Sequence, residues 1–237
     1  PLYNFSVAFE HLLPPNQQTI FMPGFFSQEI VYVKKGGTGD GSSWSSPLGE
    51  VADALKLVKE QNSGEIQNIK QIWVAKGTYT PKYRADNFSG QNPLDRLNSF
   101  VLPKNVSIYG GFSGTESSLD QRDWKNNVTV LSGDLNGNDG ADFANTTDNA
   151  YHVVTSVLDS NTILDGFTIS GGNANHTTWT SVSVNGGNIF ANSGGGIYLY
   201  ASTAKLQNLI LSKNQAYASG GAIRMDGGTP ELTNVII

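Results

Sequence analysis

The phrase GGGIYLY, Gly194 to Tyr200, returns 26 residues later as GGAIRMD, Gly220 to Asp226. Leu206, Asn208, Leu209 and Leu211 of KLQNLIL return at the same step as Leu232, Asn234, Val235 and Ile237 of ELTNVII. Farther back, ILDGFTISGGNA (Ile163 to Ala174) aligns with KLQNLILSKNQA (Lys205 to Ala216) at a step of 42. That is 26 plus a 16-residue insertion, which falls in the Thr-, Ser-, Asn- and Gly-rich stretch Asn175 to Ser193. NVSIYGG at Asn105 and NVTVLSG at Asn127 repeat at 22, and YHVVT at Tyr151 follows about 25 later. A chain repeating at such intervals is confined to stacked architectures, because each unit is too short to bury an apolar face alone.

The repeated segments VSIY, VTVL, HVVT, TILDGFTI and KLQNLIL are rich in Val, Ile, Leu and Thr, and Gly, Asn, Asp or Ser bounds them. They read as short strands without helical periodicity. A leucine-rich repeat needs a regular L-x-x-L-x-L frame, which these segments lack. The pattern predicts an all-β fold, a parallel β-helix whose short strands stack about 4.8 Å apart. Leu164, Leu206 and Leu232 are expected in one interior column, and Ile197 and Ile223 in another. The paired glycines are expected at sharp corners, and Asn208 and Asn234 in a ladder of side-chain amides.

Composition fits this reading: 27 Gly and only 15% charged residues suit a turn-dense β protein. Net charge is −5 with no basic stripe, which argues against a nucleic-acid partner. No apolar run reaches spanning length, so no transmembrane segment is expected. The absence of cysteine excludes disulfides and thiol chemistry. The first residue is Pro rather than Met, consistent with processing or truncation.

Residues 1–29 read as an irregular N-terminal arm, and 30–237 as one β-helix domain. Within it SPLGEVADALKLVKEQNSG predicts a capping helix over 46–62. Ser46 would be its N-cap and Pro47 its first residue, with an apolar stripe of Leu48, Val51, Leu55 and Val58 and a stop at Gly64. Such an amphipathic helix would cover the open end of the core. The chain ends at NVII within a repeat, so the C-terminal end is expected to be open and the sequence part of a longer one.

The segments IVYVKKGGTGDGSSWSSPLGEVADAL, IWVAKGTYTP, SIYGGFSGTESSLDQRDW, TVLSGDLNGND, NAYHVV, LDGFTISGGNAN and GGGIY resemble right-handed parallel β-helix repeat proteins of Bacteroidota and related bacteria. The GG[AG]I phrase followed by LSKN also resembles repeats of polymorphic outer-membrane adhesins. The resemblance implies a right-handed coil with a secreted or cell-surface location. It also implies contact with a secretion or surface-anchoring apparatus, often a type IX system. The same superfold carries pectate-lyase-like enzymes and passive adhesins.

Three stretches carry potential chemistry. In GDLNGNDGADF, the oxygens of Asp134, Asn136, Asn138, Asp139 and Asp142 alternate with glycines, as in loops that bind Ca²⁺. An Asn/Asp/Gly turn would look the same, and Asn145 stands where an EF-hand would close with Glu. In SLDQRDW, Arg122 is either the base of a lyase, with Ca²⁺ neutralising a substrate carboxylate, or half of a structural pair with Asp123. Asp159 and Asp165 are candidate hydrolase carboxylates only if the fold brings them together. Finally, Trp179, Tyr198 and Tyr200 are candidate sugar platforms. Tyr198 and Tyr200 would face outward if Ile197 and Leu199 face inward. Trp44 and Trp73 are expected beside the helical cap, and His152 and His176 show no partners. The expected function is a non-enzymatic adhesin or stalk module that binds polysaccharide or cell-surface glycan. The alternative is a polysaccharide lyase or glycoside hydrolase.

Overall fold

The computed structural model describes residues 28–62 and 68–237, with the backbone of 4–5 and 20–21. Most of the expected N-terminal arm, and Gly64, lie outside the described residues. Within the arm, Asn4–Phe5 pairs antiparallel with Ile20–Phe21.

The β-branched runs become strands, and the chain lays them in parallel on successive passes. A first arm collects Ile30–Val33, Gln71–Ala75, Ser107–Phe112, Ile163–Asp165 and the first halves of Lys205–Ser212 and Glu231–Ile236. Its register aligns Val31, Ile72, Ile108, Leu164, Leu206 and Leu232. A second arm aligns Tyr79, Leu131, Ile169 and Leu211. A third, through Phe100–Val101, Val154–Val157, Ile197–Ser202 and Ile223–Gly228, aligns Phe100, Val154, Ile197 and Ile223. A short fourth arm pairs Asn173–Ala174 with Gln215–Ala216. The first two arms form one curled parallel sheet. The long strand Lys205–Ser212 carries Ile163–Asp165 on its first half and Thr168–Ser170 on its second.

The buried members of the three columns meet in one apolar cluster. Fully burying such a side chain contributes roughly 1.5–3 kcal/mol. A one-residue slip would turn a whole column to solvent, so packing sets the register. The expected columns Leu164–Leu206–Leu232 and Ile197–Ile223 are both in register, with Leu232 exposed and Ile223 half-buried. The Gly-Gly corners are too: Gly194 and Gly220 have φ of +71° and +66°. A Cβ on Gly195 would stand 2.2 Å from the Gln215 carbonyl oxygen. The asparagine ladder forms, with Asn234 Nδ2 donating to Asn208 Oδ1 at 2.8 Å.

Two expectations need correction. NVSIYGG and NVTVLSG do not stack on each other. They belong to one pass, in the first and second arms, separated by an excursion that includes a short 3-10 turn, Leu119–Gln121. The step between stacked first-arm strands therefore varies with what is inserted between arms. The helix is also shorter than expected, Val51–Gln61 with Glu50 as N-cap. Ser46 instead donates to Asp40 Oδ1 at 3.0 Å, and Leu48 forms a parallel bridge with Val33. Sheet pairing thus keeps Leu48 beside Val33 and out of the helix. Val51, Ala54, Leu55 and Val58 of the helix join the main core.

The insertion after the fourth-arm strand folds as an antiparallel hairpin, Ser181–Val184 with Gly187–Phe190. It covers the outward side of the third arm, where Val184, Ile189, Tyr198, Val157, Val101 and Ala85 form a second apolar cluster.

Candidate functional site

Arg122 reaches across to the next pass rather than to Asp123. Its Nη2 donates to Asp165 Oδ2 at 2.6 Å, and Nη1 donates to the carbonyls of Gly110 and Asp165 at 3.2 and 3.3 Å. The guanidinium also lies over the Tyr109 ring, 5.2 Å from its centroid. Asp165 Oδ1 accepts from Asn208 Nδ2 at 2.8 Å, which extends the asparagine ladder to Arg122. The two side chains are 12% and 7% exposed. A guanidinium bonded in this way is a clamp between passes, the structural member of the two roles set out for Arg122. Asp159 belongs to a different network, with Ser156 and Thr203, so it does not converge with Asp165.

The loop after Thr129–Ser132 divides its oxygens. Asp134 accepts from the backbone N–H groups of Gly137, Asn138 and Asp139 at 2.7, 3.1 and 3.1 Å, so its carboxylate shapes the loop. Asn136, Asn138 and Asp142 are exposed. Asp139 turns inward: its Oδ2 accepts from Asn149 Nδ2 at 2.9 Å, and its Oδ1 is buried without a donor. Burial raises the Asp139 pKa, and the neighbouring Asp134 and Asp148 carboxylates add to the rise.

Three residues absent from the expected oxygen set complete this corner. Asp148 Oδ2, Asn149 Oδ1 and Asn173 Oδ1 are also buried without donors. A buried acceptor with no partner costs about 1–3 kcal/mol. Four such oxygens lie on residues linked through Asn149, which bonds Asp139, and Thr146, which accepts from Asn149 and Asn173. Asn149 and Asn173 are 0% and 1% exposed. Thr146 O accepts from Asn173 Nδ2 at 2.7 Å and from the Asn149 N–H at 3.3 Å, so the asparagines flank one oxygen. Arg96 donates to the backbone carbonyls of Asn149 and Asn173 at 2.6 and 2.7 Å. Only the TTDN run beside the glycine-rich loop could have hinted at this set. Asn173 comes from the next pass, and sequence spacing gives no sign of it.

The aromatic candidates part company. Tyr198 does face away from the main core, but the hairpin covers it completely, and its hydroxyl donates to Asp226 Oδ2. The expectation of an exposed Tyr198 is therefore corrected. Tyr200 is half-buried against the same hairpin. Trp179 is 61% exposed and rests edge-on against Phe190, ring centroids 5.3 Å apart. Tyr217, 64% exposed, follows the fourth-arm strand. Trp44 and Trp73 pack with Tyr32 and Phe112 in one aromatic cluster. His152 is buried, with Nδ1 2.9 Å from Gly194 O, and its pKa is lowered by burial to about 4. His176 makes local contacts with Thr178 and Thr180.

No protein-family model, curated protein or solved structure matches the chain. No helix among the described residues is long and apolar enough to cross a membrane.

Proposed function

We propose that the chain is a right-handed parallel β-helix that acts as a secreted or cell-surface adhesin or stalk module and binds glycan through Trp179. Three parallel arms facing one core support the coil, and parallel crossovers are overwhelmingly right-handed. The location rests on the family resemblance. The observation that carries the binding role is Trp179: a large apolar ring left in solvent, yet steadied by Phe190 on a hairpin that packs onto the third arm. A sugar stacks on such a ring through its polarised C–H face, and a pre-positioned ring loses little freedom on binding.

The test is a glycan-panel binding assay with the wild-type chain and Trp179→Ala, alongside product detection on acidic and neutral polysaccharides. Retention of one glycan class, weakened about tenfold or more (about 1.4 kcal/mol) by Trp179→Ala, is the expected outcome. Failure of the folded chain to retain any glycan would overturn the binding role. Product formation abolished by Arg122→Ala would replace it with the lyase reading.

A further inference from the structure

The geometry points to a Ca²⁺ site where the 133–149 loop meets the fourth arm, held by Asp139, Asp148, Asn149 and Asn173. The inference is independent of the glycan reading, since it draws on neither Trp179 nor the hairpin strands. Each of the four contributes a buried oxygen that no protein donor reaches.

The amide orientations follow from their partners. Asn149 Nδ2 donates to Asp139 Oδ2 and to Gly171 O, at 2.9 and 2.8 Å. Asn173 Nδ2 donates to Thr146 O at 2.7 Å. All these partners are acceptors, so neither amide can be turned over, and each must leave its oxygen undonated. Arg96 fixes the backbone of both asparagines through their carbonyls.

Charge runs the same way. The carboxylates of Asp134 and Asp148 both lie near that of Asp139, with Lys213 as a cation in the same side chain's surroundings. Arg96 is near Asp148, but its donors go to Asn149, Asn173 and Asn175. A divalent cation would meet the Asp139 and Asp148 carboxylates and the undonated amide oxygens together. Among the described residues no three of Asp, Glu, His or Cys form a metal-holding group. Here two carboxylates supply charge and two carboxamides supply neutral oxygens. That all-oxygen set suits Ca²⁺, which accepts mixed carboxylate and amide ligands in flexible geometry, over metals that want nitrogen or sulfur.

The experiment is calorimetric titration of the EDTA-treated chain with CaCl₂, paired with thermal melts in EDTA and in Ca²⁺. The wild type should take up one Ca²⁺ and melt higher with it. Asp148→Asn and Asp139→Asn should each weaken uptake at least about tenfold. In EDTA, neither should melt lower than the wild type, because each removes a carboxylate from a crowded corner. Asp142→Asn, at the exposed loop tip, should keep full uptake. Absence of both heat and a melting shift in the folded wild type would overturn the site and leave a corner satisfied by water. Uptake untouched by Asp148→Asn and Asp139→Asn would overturn it as well, placing the cation elsewhere.

Discussion

Replacing Asp165 by Ala tests whether Arg122 belongs to the fold. The substitution removes the charge-assisted bond from Arg122 Nη2 (2.6 Å) and the acceptor of Asn208 Nδ2 (2.8 Å). Hydrogen bonds to charged groups contribute about 1.5–3 kcal/mol each. The pair is shielded, at 12% and 7% exposure, so solvent screens little of this. Arg122 would keep its two longer hydrogen bonds, to the Gly110 and Asp165 carbonyls, and its place over the Tyr109 ring. The expected loss is about 4 kcal/mol, within the range for breaking a buried pair. For a domain of this size that lowers the melting midpoint by roughly 8–16 °C. Urea unfolding followed by far-UV circular dichroism measures it directly. The double variant Asp165→Ala with Arg122→Met should cost about 2 kcal/mol less than the two single variants added together, since no lone guanidinium is left buried. A loss under about 1 kcal/mol for Asp165→Ala, with no coupling, would refute the clamp and return Arg122 to the list of free functional groups.

Leu206→Ala removes a fully buried member of the first-arm column and should cost about 2–5 kcal/mol by urea unfolding. Ile210→Ala, on the outward side of the same strand, should cost less than about 1 kcal/mol in the same assay. His152 has a folded pKa of about 4 against an ordinary 6.5, because burial disfavours its charge. Between those values the unfolded chain binds a proton that the folded chain does not. This contribution to stability is therefore full above pH 6.5, falls by up to about 3 kcal/mol as pH drops towards 4, and levels off below. His152→Gln should flatten that slope in unfolding midpoints measured across the window, and an unchanged slope would contradict the buried neutral imidazole.

What the candidate corner shares with the sequence is Asp139 alone. The glycine-rich loop advertised oxygens, but local spacing could not say which turn inward. Asp134 is consumed by three backbone donors, and Asn173 arrives from the following pass. The aromatic reading fared similarly. Alternation placed Tyr198 away from the main core, but the insertion that covers it has its own register and its own apolar face.

By itself the sequence determined the repeated strands, the alignment of Leu164, Leu206 and Leu232, the glycine corners and the asparagine ladder. A fixed interval puts like residues in line, and side-chain alternation along a strand is a local property. Tertiary structure alone decided that the Asn105 and Asn127 segments lie in different arms. It alone held Leu48 beside Val33, joined Arg122 to Asp165 and closed the hairpin over Tyr198. Each of those outcomes depends on excursions whose length follows no period, and on partners from another pass, where packing outweighs any local preference.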